Sequence, residues 1–319
     1  MSNNRIESLQ KITGFSNVIL LSGDASERKF YRGKCKDNIS YIIMDYQKNI
    51  GIKEKEFQIL RAYGLLKMYE IKIPKIYNVF PNEGLIIQQD AGDTSLSVIV
   101  NNDLVSEYEL KKIYLNAMNE IIKIKNIPVL LIKNIKGEIF TKEKLEWEAN
   151  FFIKYYLEKF KSKILSDKEK NILNLFFNEI NETVYASVGF PIHRDFHSRN
   201  LLHFNNKVFT IDYQDLRVGP DHYDITSLLW DSYVDLEDEL KDYLLRRYIE
   251  FCGKEYGNEI NLVRCTAIQR NLKAIGTFSY LALEKNKTNF LNHIPLTLKH
   301  FEQNFKLLSF DPEILSMIK

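Results

Sequence analysis

The chain has 319 residues, 45% hydrophobic and 27% charged, which is enough to bury a sizeable core. Its 44 Lys and Arg residues nearly balance its 42 Asp and Glu residues, and this net charge of +2 argues against nucleic acid as the main partner, because phosphate binding requires a basic excess or patch. Three scattered cysteines argue against a disulfide framework or a metal site. No apolar run reaches the roughly 18–20 residues of a transmembrane helix. The polar start of the chain lacks the apolar stretch of a signal peptide, so we expect a cytoplasmic protein with no membrane partner.

The first ninety residues are predicted to form mainly strands. Alternating apolar residues and turn signals predict strands at 17–21, 29–32, 39–45 and 85–89, with an extended segment starting at Pro74. The spacing of Phe57, Leu60 and Leu65 predicts a helix over 53–66. We therefore expect a small α+β lobe spanning residues 1–91.

The remaining residues, 92–319, are predicted to form a larger and mostly helical lobe. Apolar residues recur at steps of three and four, which is typical of amphipathic helices. The predicted helices span 110–124, 141–160, 168–186, 221–231, 236–251, 259–283 and 294–308. One hairpin interrupts them at 201–211, where two apolar segments flank Asn205 and Asn206.

The chemistry of the chain is concentrated just before and just after this hairpin. His193 and Asp195 form an HxD motif, Asn200 follows in the same loop, and Asp212 comes directly after the hairpin. A carboxylate, an amide and a second carboxylate in this order can converge on one cleft. Such a set fits phosphoryl transfer, in which one Asp meets the acceptor hydroxyl while Asn and the second Asp hold Mg²⁺ on ATP phosphates.

Several sequence segments resemble known enzymes. HRDFHSRNLL at 193–202 and IDYQDLRVGPDHYDITSLLWD at 211–231 resemble the catalytic loop and the metal-binding segment of the aminoglycoside phosphotransferase and choline kinase-like enzymes. With GDASERKFYR at 23–32, YIIMD at 41–45 and QRNLKAIGTF at 269–278, the closest resemblance is to the cell-wall-recycling kinases. Those enzymes phosphorylate N-acetylmuramate and N-acetylglucosamine at the anomeric hydroxyl. The resemblance implies a two-lobed protein-kinase-like fold with ATP between the lobes.

The resemblance also implies roles for the residues around the hairpin. Asp195 would lie beside the acceptor hydroxyl as a catalytic base or orienting group, and Arg194 would steady the loop or the transferring phosphate. Asn200 and Asp212 would bind Mg²⁺. Asp224 would anchor the catalytic loop through buried hydrogen bonds.

The nucleotide is expected to bind along the small lobe. The turn with Ser26, Arg28 and Lys29 would cover the ATP phosphates, and the hinge residues Gln88, Gln89 and Asp90 would bind adenine through their main chain. Related kinases carry a lysine on the third strand, and here the matching residue is Met44. Arg28 and Lys29 are the candidates to replace that cation.

The residues proposed for the acceptor are less distinctive, and each has a plain alternative. The substrate candidates are Glu148, His197, Arg199, Asp215 and Arg270. Asp215 could equally be a second metal ligand or a turn cap, and His197 a solvated polar residue. Glu148 could be solvated while its neighbour Trp147 packs.

The sequence is therefore compatible with three functions. The first is an ATP-dependent kinase that phosphorylates the anomeric hydroxyl of N-acetylmuramate or N-acetylglucosamine in peptidoglycan sugar salvage. The second is another small-molecule kinase of this fold, acting on an aminoglycoside, choline or a different sugar. The third is a nucleotide-binding pseudokinase scaffold, which Met44 motivates and which the intact Asp195, Asn200 and Asp212 oppose. The sequence indicates no oligomeric state.

Overall fold

A five-stranded antiparallel sheet forms the small lobe. The computed structural model describes residues 2–21, 28–46, 54–135 and 137–319. The strands are β1 (Asn17–Leu21), β2 (Lys29–Lys34), β3 (Ser40–Asp45), β4 (Ile76–Phe80) and β5 (Leu85–Gln89), in the spatial order β1-β2-β3-β5-β4. Their alternating residues face opposite sides, so Ile43 packs with Leu9 while Met44 packs with Ile59.

Two helices cover the two faces of this sheet. Helix α1 (Ser2–Thr13) brings Leu9 to the face of Ile43, and helix α2 (Glu54–Met68) brings Ile59 to the opposite face. Helix α1 was not predicted, because most of its residues are polar. It is held in part by Arg5, which donates two hydrogen bonds to the buried carboxylate of Asp45 at 2.9 and 2.7 Å. The strands of this sheet line the cleft with the apolar side chains of Phe30, Ile42 and Met44.

Helices build most of the larger lobe. They are α3 (Leu96–Asn101), α4 (Glu107–Lys125), α5 (Val129–Asn134), α6 (Lys142–Phe152), α7 (Asp167–Tyr185), α8 (Tyr223–Leu229), α9 (Asp238–Phe251), α10 (Tyr256–Lys285), α11 (Ile294–Lys306) and α12 (Pro312–Ile318), with α6 continuing as a π-helix over Ile153–Phe160. Helices α4 and α7 each begin at a capping box, formed by Ser106 with Glu109 and by Ser166 with Glu169. The short helices α3, α5 and α12 were not predicted from the sequence.

Helix α10 runs through the middle of this lobe and packs against α6, α7 and α11. Gly276 allows the close approach to α6, because a Cβ at this position would lie 2.8 Å from the Cα of Phe152. The long helix carries the QRNLK segment, residues 269–273, toward the site.

Two strand pairs of the larger lobe position the polar residues. Strands β6 (Val188–Ile192) and β9 (Arg217–Pro220) pair with each other, and β7 (Leu201–Phe204) and β8 (Lys207–Thr210) form the predicted hairpin. A bridge from Ser95 to Leu202 attaches this hairpin to the segment that leaves the small lobe. Both ends of the hairpin therefore lie at the junction of the two lobes. Among the described helices, none is both long and apolar enough to cross a membrane.

Candidate active site

A buried carboxylate holds the loop that carries the HxD motif. Asp224 accepts hydrogen bonds from the backbone N–H groups of His193 at 2.6 Å and Arg194 at 3.0 Å. Arg194 has a φ of 82°, a conformation that a non-glycine residue keeps only where its surroundings impose it. The ring Nε2 of buried His193 lies 3.1 Å from the carbonyl oxygen of Ile211. Asp224 therefore makes the loop contacts that the sequence predicted.

The structure brings Asp195, Asn200 and Asp212 together on one cleft of about 730 Å³. Asn200 ends a short 3₁₀ turn, and its Nδ2 donates to the carbonyl oxygen of Asp195 at 2.9 Å. Asp212 follows β8 in a left-handed conformation, and its side chain is 40% exposed. The carboxylates of Asp195 and Asp212 and the amide of Asn200 therefore lie at the polar end of the cleft.

Arg28 reaches this polar end from the small lobe. Its guanidinium donates to Asp212 Oδ1 at 2.9 Å and to Gln214 Oε1 at 3.2 Å. The same group lies 4.0 Å from the sulfur of Met44, which occupies the strand position where related kinases carry a lysine. Lys29 is exposed on β2 and does not line the cleft, and Ser26 lies outside the described residues. Of the two described residues that were predicted to contact phosphates, Arg28 lines the cleft and Lys29 does not.

The predicted hinge forms the opposite end of the cleft. Gln88 and Gln89 line it from the end of β5. The carboxylate of Asp90 is engaged by Arg32, whose Nε and Nη2 donate at 2.6 and 3.0 Å, and by the backbone N–H of Gly92. Burial opposes ionisation of Asp90, but these hydrogen bonds outweigh it and lower its pKa. The side chain of Asp90 is thus bound by Arg32 and Gly92, so the predicted contact of Asp90 with adenine would use its main-chain groups.

Cations surround the carboxylate of Asp195. Lys273 on α10 places its Nζ 3.9 Å from Asp195 Oδ1, and Arg194 lies beside the same group. Burial by itself would raise the pKa of Asp195, but Lys273 and then Arg194 outweigh it, and the pKa falls far below its ordinary value. Lys273 was missed by the sequence analysis, although it stands in the QRNLK segment that the resemblance singled out.

The acidic residues near the loop are paired with basic ones. Asp215 accepts a hydrogen bond from Arg194 at 3.1 Å and lies 3.8 Å from Arg217. Glu148 is 2% exposed, and its Oε2 accepts from Gln269 at 2.7 Å.

The alternative in which Glu148 is solvated is wrong, because Glu148 is buried. Trp147 packs in part, since its ring is 52% exposed and lies 4.8 Å from the ring of Phe151. The spacing of these two residues along α6 turns the indole outward and the carboxylate inward.

His197 and Arg199 form a second wall of the cleft together with Tyr233. The His197 ring meets the Tyr233 ring edge to face at 5.0 Å, and the Arg199 guanidinium lies 4.0 Å from the centre of the same ring. His197 is half-buried against Tyr233, and this burial lowers its pKa. Tyr233 and its neighbour His293, which lies 3.1 Å from Arg199, were not predicted as site residues.

Arg270 is directed into the protein. Its guanidinium donates to the carbonyl oxygen of Arg194 at 3.0 Å and to Ser227 Oγ, and it lies 4.2 Å from the ring centre of Tyr223. These contacts place Arg270 beneath the loop of the HxD motif, and it is not among the residues that line the cleft. Arg270 was predicted to contact the substrate, but its observed contacts support the loop instead.

The two lobes and the cleft between them form a protein-kinase-like fold. Residues 169–257 match the family model described as APH, Phosphotransferase enzyme family. The N-acetylmuramate/N-acetylglucosamine kinase of Neisseria meningitidis serogroup B is 23% identical to this chain, over 90% of this chain and 85% of the relative. The predicted resemblance is thereby confirmed.

Solved structures agree on the fold. ADP-bound aminoglycoside phosphotransferase APH(2'')-Ib gives a TM-score of 0.64 at 17% identity, covering 96% of this chain and 99% of that chain. Choline kinase LicA from Streptococcus pneumoniae gives a TM-score of 0.60 at 15% identity, covering 95% and 99%. The predicted two-lobed fold is therefore confirmed as well.

Proposed function

We propose that this phosphotransferase moves the γ-phosphoryl group of ATP to the anomeric hydroxyl of N-acetylmuramate, N-acetylglucosamine or both, in the salvage of peptidoglycan sugars in the cytoplasm. The convergence of Asp195, Asn200 and Asp212 on one cleft carries the proposal of phosphoryl transfer. The name of the N. meningitidis relative supports the choice of acceptor.

ATP would occupy the cleft with its adenine at the hinge. Ile42 and Leu202 offer apolar surface from the two lobes, and the backbone of residues 88–90 offers hydrogen-bonding groups. Arg28 would bind the phosphates in place of the missing strand lysine, because its guanidinium already reaches the carboxylate of Asp212. A bidentate guanidinium suits phosphate oxygens. The ADP-bound structural neighbour supports this nucleotide.

Asn200 and Asp212 would hold Mg²⁺. Both side chains offer the hard oxygen atoms that this ion prefers, and the Asp212 carboxylate is 40% exposed toward the cleft. When bound, the ion would neutralise charge on the β- and γ-phosphates. Asp195 would orient the acceptor hydroxyl and accept its proton, while the loop held by Asp224 fixes its position.

The pairing of the acidic residues favours a sugar over a cationic acceptor. An aminoglycoside or choline would require unpaired carboxylates to bind its positive charge. Here Asp215 is paired with Arg194, and Glu148 lies 3.7 Å from Lys144. Asp231 is buried and accepts from the backbone N–H groups of Ser198 and Tyr233. Asp215 and Asp231 are thus bound within the protein, whereas the buried Oε1 of Glu148 has no hydrogen-bond partner among the described residues. The two bound carboxylates support a neutral or anionic sugar as the acceptor.

Coupled ADP release tests the proposal. The enzyme is mixed with Mg·ATP and N-acetylmuramate, N-acetylglucosamine, glucose, kanamycin or choline in turn, with Asp195→Asn as the control. We expect turnover on the N-acetyl sugars and its loss in the control. Turnover confined to an amine would contradict the acceptor assignment and favour the second kinase function. ADP release no faster than the control on every acceptor, with a Mg·ATP-induced rise in Tm, would favour the pseudokinase.

A further inference from the structure

A second cluster of polar side chains lies at the start of α8. Asp221 and His222 join β9 to α8 and are buried, and Glu259 lies in the first turn of α10. None of these three residues is among those that line the cleft. The cluster therefore has no part in the proposed phosphoryl transfer.

The cluster offers three ligand atoms of the kind that bind Zn²⁺. A carboxylate oxygen of Asp221, a ring nitrogen of His222 and a carboxylate oxygen of Glu259 lie within 4.8 Å of one another. For three atoms at such separations, one point lies within about 2.8 Å of all three, whereas bonds of Zn²⁺ to nitrogen and oxygen are about 2.0–2.2 Å long. A movement of less than about 1 Å by each side chain is therefore enough to bring all three atoms onto one ion.

A cation already lies between the two carboxylates. The Nζ of Lys254 donates to Asp221 Oδ2 at 2.9 Å and to Glu259 Oε2 at 2.8 Å. Lys254 stands between α9 and α10 and its side chain is 31% exposed, so its ammonium can move into water without crossing the protein. Lys125, which donates to Asp221 from α4, is more deeply buried and keeps its place. The structure thus has a position for a cation, and its present occupant can be displaced.

The ring of His222 has one nitrogen without a hydrogen-bond partner. Its Nε2 lies 2.6 Å from Glu259 Oε2, whereas Nδ1 of the fully buried ring has no hydrogen bond to any described residue and lies 3.4 Å from Asp221 Oδ1. In a neutral imidazole one nitrogen carries the proton and the other offers a lone pair. When Nε2 carries the proton, the lone pair of Nδ1 lies beside a carboxylate and is left unsatisfied. Zn²⁺ on Nε2 reverses this, because the proton then lies on Nδ1 and can bond Asp221.

We propose that Asp221, His222 and Glu259 form a Zn²⁺ site in which the metal takes the position of the Lys254 ammonium. The ligands are Asp221 Oδ2, Glu259 Oε2 and His222 Nε2, and a water completes the tetrahedron. Asp221 Oδ1 accepts the hydrogen bond of His222 Nδ1, which orients the metal-binding ring. The imidazole nitrogen favours Zn²⁺ over Mg²⁺, which prefers oxygen ligands.

The site joins α8 to α10 at a position that bears on the catalytic loop. Asp224, which holds the loop of the HxD motif through two backbone hydrogen bonds, lies three residues after Asp221. A metal ion that links Asp221 and Glu259 therefore stabilises the start of the helix that carries this anchor. Because Zn²⁺ binds the folded protein, it should also raise the Tm.

Calorimetric titration with Zn²⁺ in the absence of nucleotide, together with the Tm, tests the site. Loss of a group that only orients a metal ligand costs about 10–100-fold in affinity, so Glu259→Gln, which loses a ligand, should bind on the order of 100-fold more weakly than wild type. Lys254→Met removes the competing ammonium and should bind Zn²⁺ more tightly than wild type. Asp212→Asn should keep the wild-type affinity at this site, because it alters the proposed Mg²⁺ site alone.

A matched control variant and a spectroscopic readout accompany the titration. His300 is another fully buried histidine whose Nε2 faces a carboxylate, that of Asp235 at 3.3 Å, and His300→Gln should bind Zn²⁺ as wild type does. The ¹⁵N NMR signals of the His222 ring, assigned by their absence in His222→Gln, should show Nε2 bound to the metal and the proton on Nδ1. Lys254→Met keeps all three ligands, so its tighter binding supports the site even where Glu259→Gln does not fold.

Three results would overturn the site. The first is an affinity for Zn²⁺ that is the same in wild type and in folded Glu259→Gln. The second is binding by Lys254→Met without binding by wild type, because the ammonium would then hold its position permanently. The third is a His222 ring that stays protonated on both nitrogens in saturating Zn²⁺.

Discussion

Replacing Asp224 tests how the loop that presents Asp195 is held. The carboxylate is 3% exposed and accepts backbone hydrogen bonds at 2.6 and 3.0 Å. A hydrogen bond to a charged group contributes roughly 1.5–3 kcal/mol, so Asp224→Ala should lower the free energy of unfolding by about 3–6 kcal/mol. Asp224→Asn keeps one acceptor oxygen, and we expect about half of that loss.

Urea unfolding followed by circular dichroism measures the change in stability, and coupled ADP release measures the change in activity. When the hydrogen bonds from His193 and Arg194 to Asp224 are weakened, Arg194 can leave its φ of 82°, and Asp195 moves with it. A displacement of about 1 Å at a reacting group can cost on the order of 100-fold, so kcat should fall in Asp224→Asn while the KM for ATP changes little.

The matched control is Asp242→Asn. Asp242 is 49% exposed and pairs with Arg246 at 2.7 Å on the surface of α9, where such a pair contributes less than about 1 kcal/mol. If Asp224→Ala loses no more stability than this control, the two backbone hydrogen bonds do not hold the loop, and the reasoning from their lengths and burial is refuted.

Three further predictions concern the small lobe, the hinge and the helix core. Arg28→Met should raise the KM for ATP about tenfold or more, the equivalent of one charge-assisted hydrogen bond, and a KM equal to that of wild type would contradict the assignment. Burial opposes ionisation of Asp90, but Arg32 lowers the pKa of Asp90 below the ordinary 3.8. The ionised Asp90 therefore contributes fully to the stability of the fold above that pH, and this contribution is lost as the pH falls through the folded-state pKa. Acid unfolding of Arg32→Met should lack this contribution. Gly276→Ala would bring a Cβ 2.8 Å from a backbone carbon of α6 and should cost about 1–3 kcal/mol in thermal unfolding, whereas Gly64→Ala, with nothing within 4 Å, should not.

Strong periodicity made most of the secondary structure predictable. The hairpin at β7 and β8 and the long helices α4, α7, α9 and α10 lie where the apolar spacing predicted them, with ends that differ by a few residues. Helix α1 did not follow this rule, because most of its residues are polar and tertiary contacts hold it: Leu9 is buried against the sheet and Arg5 is bound to Asp45. The short helices α3 and α5 have too few turns to produce a periodic signal.

The polar end of the site was predictable for a similar reason. Asp195, Asn200 and Asp212 lie within one short stretch of chain, so a single hairpin is sufficient to bring them together. The resemblance to known kinases, rather than local spacing, assigned Asp224, which lies in helix α8. The positions of these residues before and after the hairpin therefore made it possible to predict that they lie close together.

The surroundings of that motif depend on contacts between distant segments. Arg28 meets Asp212 across 184 residues of sequence, and Lys273 reaches Asp195 from a different helix. Glu148 became buried and Arg270 became a loop support because α6 and α10 pack closely there. Such contacts leave no spacing signal in the sequence.

The sequence by itself determined the class of fold and the acidic and amide groups that serve phosphoryl transfer, because both depend on residues that are neighbours along the chain. Only the tertiary structure decided which cations surround Asp195, which carboxylates are already paired and which side chains face the cleft. Charge pairing and burial are properties of three-dimensional proximity, which the order of residues along the chain does not encode.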